Sequence, residues 1–124
     1  MSDTSARAYL ENAVLTASPV RLVVMLYDHA LLKLRTARVA IESRDPKVSG
    51  PAINAASAVL SELQGSLDHE AGGEIAASLA SIYRFALSEL AQANLRMQAE
   101  RIDGVIRVLT PLRDAWDQLA RRAA

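Results

Sequence analysis

Cysteine is absent from this chain of 124 residues, which excludes a disulfide scaffold and a thiolate zinc site. An excess of one charge is absent too. Fourteen Lys and Arg are matched by 14 Asp and Glu, so no clustered cationic surface points to nucleic acid or to anionic lipid. No stretch approaches the roughly 18 uncharged apolar residues of a membrane helix. The opening Met-Ser-Asp-Thr-Ser-Ala-Arg is polar, without the apolar run of a secretory leader. Alternation with period 2 is missing over any useful length. What remains is a single soluble domain, expected in the cytosol without direct membrane insertion, and large enough to bury roughly two-thirds of its unfolded surface.

The residues present repeat with helical spacing. Ser18 stands where an N-cap belongs, and Pro19 suits the first helical position because its missing N–H would go unpaired there. A first helix is predicted over 19–43 and stopped by Asp45-Pro46, since the residue before proline is pushed out of the α region. Leu22, Leu26, Ala30 and Leu34 form one apolar face of it, and Val23, Tyr27 and Leu31 a second beside it. A helix apolar on two faces is either central in its domain or covered by something else.

Ile53, Ala56, Leu60, Leu63 and Leu67 form the seam of a second helix. An N-cap at Asp45 would place Pro51 well inside that helix, at about 3 kcal/mol, so a start near 48–50 is expected. A loop over 67–73 follows, with Gly72-Gly73 as free backbone. The third helix carries Ile75, Leu79, Ile82, Ala86, Leu90, Ala93 and Met97 on one face, with Ala76, Ala80, Tyr83 and Leu87 on an adjacent line. The fourth carries Ile102, Val105, Leu109, Leu112, Trp116 and Leu119, with a kink expected at Pro111. Short connections between helices of similar length predict an all-α fold, an antiparallel up-down four-helix bundle. An N-terminal arm or cap over 1–17 precedes the bundle domain over 18–124.

Catalysis finds little support. Carboxylate-bridged di-metal bundles need Glu-x-x-His pairs, and none occurs. Asp68, His69, Glu70 and Glu74 are the one cluster with metal-ligand chemistry, but acidic residues suit a helix N-terminus without any ion. Asp28 and His29 are adjacent, and adjacent helical residues do not face each other. Arg96, Arg101, Arg107 and Arg113 fall between the apolar seams, and phosphate loops and nucleophile elbows are absent. A non-enzymatic protein without metal or cofactor is expected.

Several separated motifs, in order, carry a resemblance. They are Val-Leu-Thr-Ala-Ser-Pro (14–19) with Leu22 and Met-Leu-Tyr-Asp (25–28), then Ser-Leu-Asp (66–68) and Gly-Gly-Glu-Ile-Ala (72–76). Leu79, Tyr83, Ala-Asn (93–94) and Leu-Arg-Asp-Ala-Trp (112–116) complete them. Over nearly its whole length the chain resembles the FliS family, export chaperones for flagellin in bacterial flagellar assembly. His29 departs from the family pattern, which usually has Gly there. The resemblance implies a helical bundle that binds the disordered C-terminal segment of flagellin in the cytoplasm, prevents early polymerisation and keeps flagellin competent for export. It also implies that the N-terminal arm lies over part of the groove until flagellin displaces it. An export-gate component and an anti-sigma factor are further partners it suggests.

The residues themselves support a compatible mechanism. Surplus apolar faces on the first and third helices suit an amphipathic partner helix in a groove. Ordering a disordered partner costs several kcal/mol, so about 1,000 Å² or more of contact is needed. The expected partner-binding residues are Tyr9, Leu10, Val14, Leu22, Met25, Tyr27, Leu79, Tyr83, Leu87 and Asn94. Tyr27 and Tyr83 qualify as amphipathic side chains, and Asn94 as a hydrogen-bonder late in a helix. Tyr9, Leu10, Val14 and Leu15 are too apolar for an idle tail and are expected to fold back on the bundle. Ile82 and Trp116 are assigned to the core. A regulatory adaptor, binding an anti-sigma factor or another small regulator of flagellar assembly, is the competing function.

Overall fold

Four helices account for almost all of residues 19–122, the part of the chain that the computed structural model describes. They are α1 (Pro19–Glu42), α2 (Pro46–Gly65), α3 (His69–Arg96) and α4 (Ala99–Arg122). Ser18 and the arm over 1–17 lie outside the described residues. Each helix packs against two neighbours, α1 on α2 and α4, and α3 on α2 and α4, so the four close a ring in antiparallel order.

The connections are two to three residues long, and tight caps turn the chain at several of the helix ends. At the end of α1, Arg44 takes a left-handed conformation (φ 57°). Its N–H donates to the Ile41 carbonyl, and that of Asp45 to the Ala40 carbonyl at 2.8 Å, which satisfies the last orphan acceptors. Met97 turns the chain in the same left-handed way after α3. Asp68 starts α3 by accepting from the Ala71 N–H at 2.9 Å.

Pro51 does not delay α2. That helix starts at Pro46, with Asp45 at the N-cap position, and Pro51 sits inside it. The lost hydrogen bond would have been to the Lys47 carbonyl, and Lys47 lies in the exposed first turn, where water replaces the missing donor. α4 likewise runs on both sides of Pro111, and the Thr110 hydroxyl donates to the Ile106 carbonyl at 2.7 Å. The loop expected over 67–73 is shorter. A helical turn begins at His69, and the break falls on Gly73 alone, at φ 51° and ψ −125°.

The core runs through the ring as stacked layers. Leu34, Ile53, Leu60, Leu90, Ile102, Val105 and Leu109 are wholly enclosed. The second apolar face of α1 is largely hidden within the protein, since Tyr27 and Leu31 are both core residues. α1 is therefore central, and its doubled face alone demands no external cover. Tyr27 and Tyr83 reach across the ring from α1 and α3, and their hydroxyl oxygens meet at 2.6 Å. Burial pushes both phenols above their ordinary pKa.

Ion pairs zip α1 to α4. Arg21 meets Asp117 at 2.8 Å, Asp28 meets Arg113 at 2.7 Å, and Arg38 meets Asp103. The numbers rise on α1 as they fall on α4, so the pairs follow the antiparallel register. The signs on α1 alternate, so a large slip would bring like charges together. Asp117 is buried, and hydrogen bonds from Arg21 and then Arg121 hold its carboxyl below the usual range.

Candidate functional site

The core is closed at one end of the ring and open at the other. At the closed end, a hollow beside the α1–α2 turn is lined by Arg35, Thr36, Val39, Ser43, Asp45 and Val48, none of them buried, together with Ala40. At the base, where α1 and α3 begin and α2 and α4 end, a cleft of about 370 Å³ enters between the helices. Its walls are Val23 from α1, Leu63 from α2, Ile75, Ala76, Leu79 and Tyr83 from α3, and Trp116 from α4. Ser66, Leu67, Asp68, Ala71 and Gly72 close one side. A second hollow of similar size adjoins it along the α3–α4 seam, lined by Glu74, Ser78, Ile82 and Leu112, and shares Ile75 and Leu79 with the first. Ile75 is the ridge between them, 73% exposed.

Helical spacing explains the placement. Leu79 and Tyr83 lie one and two turns beyond Ile75, so the three share a strip of α3. The strip sinks inward along its length, with Leu79 8% exposed and Tyr83 1%. Two apolar hollows with few charges can take apolar side chains from an approaching chain, and they hold no arrangement for acid–base or nucleophilic work. Among the described residues no group of three His, Cys, Asp or Glu could hold a metal ion. No described helix is long and apolar enough to cross a membrane.

The residues expected from sequence are only partly brought together. Leu79 and Tyr83 line the cleft. Leu22 and Met25 are half-buried on the first turns of α1, and Leu87 packs half-buried against the core. Tyr27 is wholly enclosed at 0% exposure, and no partner reaches it in this conformation. Asn94 is exposed at the far end of α3, near Gly50 of α2, about 22 Å along the helix from Leu79. Tyr9, Leu10 and Val14 lie outside the described residues.

Sequence reasoning missed several walls of the cleft. Ile75 and Leu112 read as ordinary seam positions, Val23 only as part of the second apolar face of α1, and Ile82 and Trp116 as core. Trp116 is only half-buried, Ile82 lines the second hollow, and Leu119, the last seam residue of α4, is half exposed. The Gly72-Gly73 pair was the available signal. A helix that breaks its first turn away from its own axis leaves the seam below that break uncovered.

Comparison with known proteins agrees with the architecture. The family described as "Flagellar protein FliS" matches residues 1–123. The flagellar secretion chaperone FliS of Salmonella typhimurium is 38% identical over 120 residues, covering 96% of this chain and 89% of the relative. Its Campylobacter jejuni counterpart is 35% identical, over 90% of this chain and 88% of its own. That of Bacillus subtilis is 33% identical, over 90% and 82%. A solved structure titled "Crystal structure of flagellar chaperone from bacteria" superimposes with a TM-score of 0.78 at 16% identity, covering 98% of this chain and 99% of that one, a likeness of fold. With the family matched along the chain and relatives above 30% identity, this four-helix protein belongs to the FliS family of flagellar secretion chaperones, which are not enzymes.

Proposed function

We propose that this chain binds the disordered C-terminal segment of flagellin in the cytosol, seating apolar side chains of that segment in the base cleft and the adjoining hollow. Held in this way, the segment is withdrawn from polymerisation and kept extended enough for export. The observation that carries the reading is the exposed Ile75 between two apolar hollows, a surface with no internal reason to stay bare. Leu79 and Tyr83 form the inner wall, with Val23, Trp116, Ile82 and Leu112 around them. Leu22 and Met25 extend the contact along α1, and Asn94 marks a distant point that a long client segment would reach only by wrapping the bundle. The cleft is too small to supply a stable interface of about 1,000 Å² by itself, so the client must spread over neighbouring surface. α1 begins at Pro19, at the same end of the bundle as the cleft.

Isothermal titration with a peptide of the flagellin C-terminal segment tests this. A complex at micromolar concentration is expected, weakened at least about ten-fold by Ile75→Asp, the equivalent of about 1.4 kcal/mol. No heat at tens of micromolar, or equal affinity for the variant, would overturn the assignment of this cleft. Deleting residues 1–15 should tighten or speed binding if the arm competes for the groove.

A further inference from the structure

The segment over 66–73 is the one wall of the cleft that is not anchored across the ring. Its hydrogen bonds are local. Ser66 N–H donates to Glu62 at 3.0 Å, Leu67 N–H to Gln64 at 3.3 Å, and Gly72 N–H to Asp68 at 2.7 Å. The Ser66 hydroxyl donates to Leu63 and the Ala71 N–H to the Asp68 carboxylate. Among the described residues, no hydrogen bond or ion pair ties it to α1 or α4. Its single large apolar foothold is Leu67, half-buried against the core. Glycine stands at both ends: Gly65 closes α2, and Gly73 holds a backbone conformation, φ 51° with ψ −125°, that side-chain-bearing residues avoid. Segments with local bonds and few buried contacts open at far lower free energy than the core does.

We propose that residues 66–73 form a gate over the base cleft, pivoting at Gly65 and at Gly72-Gly73, whose outward swing withdraws Leu67 and Ala71 and uncovers Tyr83 and Trp116. Leu67 fills the mouth in the closed form and is replaced by a client side chain in the open one. Assigning the gate to client entry rests on the function proposed above. The opening motion does not.

Trp116 is the only tryptophan in the chain and lines the cleft, so acrylamide quenching of its fluorescence reads the opening in the free, full-length protein. Asp68→Ala removes the cap of the gate turn. That should raise the open population about five-fold, seen as faster hydrogen exchange over 66–73 and stronger quenching of Trp116. Gly72→Ala should act in the same direction, because its added Cβ would meet the Cβ of Ala76 at 2.8 Å and force the turn to shift. Gly65→Ala, whose Cβ meets nothing within 4 Å, should stiffen one pivot and slow exchange about two- to five-fold. Gly104→Ala, with only the end of Arg107 near, should leave both readouts unchanged.

Faster exchange with unchanged Trp116 quenching would overturn the gate, as would exchange indifferent to all three substitutions. Association rates of the flagellin peptide should follow the open population. If the unaltered protein binds no peptide, the client assignment fails, while exchange and quenching still decide the gate.

Discussion

The two ends of the bundle are built from the same kinds of residue and behave differently. Towards the α1–α2 turn, Leu34, Ile53, Leu90 and Ile102 interlock with Ala37, Ala56 and Ala93, and all are buried. Small residues there let the helix backbones approach, so the large ones fill the remaining space. Towards the base, Val23, Leu67, Leu112 and Trp116 only partly cover one another, and Ile75 projects from the α3 ridge into solvent. What separates the ends is geometry at Gly73. The break there turns the first residues of α3 away from its axis, so one side of the base layer is closed by the short segment over 66–73 instead of by a continuous helix.

The sharpest way to break this contrast is to cut into the closed end. Leu90→Ala, at a fully enclosed position, should lower unfolding free energy by about 2–5 kcal/mol. Urea denaturation followed by circular dichroism measures it, and a loss under about 1 kcal/mol would show that this end relaxes as readily as the base. Between the two ends, Tyr27→Phe strands the Tyr83 hydroxyl inside the ring and should cost about 1–3 kcal/mol. Adding Tyr83→Phe removes the stranded group, so the double variant should be no less stable than the single one. A double-mutant cycle that came out additive would mean the hydroxyls do not depend on each other.

At the open end the order of effects reverses. Ile75→Asp should change stability by no more than about 0.5 kcal/mol, because the side chain is already in water, while client binding suffers. A large loss of stability there would place Ile75 in the folding core.

The smallest effect concerns the α1–α4 ion pairs. Asp117 has a folded-state pKa below its ordinary value, so its stabilising contribution is complete above the unfolded carboxylate pKa of about 3.9. It is lost as pH falls below that value through the lowered folded one. Melting temperatures measured from pH 7 to pH 2.5 should fall less steeply for Asp117→Asn than for the unaltered chain. Parallel curves would remove Asp117 from the acid response.

Helix number, order and most core positions were legible because they rest on local rules. The 3–4 spacing of Ile53, Ala56, Leu60 and Leu63 is set by helical periodicity and by the need to bury those side chains, and neither depends on distant residues. The start of α2 was misjudged for the same reason. Counting the lost hydrogen bond at Pro51 ignored that Lys47 faces water, which is a property of the assembled bundle. Trp116 and Ile75 sit at perfect seam spacing, yet one is half open and the other exposed. Spacing says which face a residue occupies, but not whether a neighbouring helix arrives to cover it.

The amino-acid sequence by itself determined four amphipathic helices, their antiparallel return and the family to which they belong, since periodicity, capping and motif order are written in adjacent residues. Only the tertiary structure decided which apolar side chains stay uncovered, that Tyr27 is enclosed with Tyr83, and that the cleft opens at the base. Burial is a relation between helices far apart in the chain, and a single backbone break at Gly73 is enough to change it.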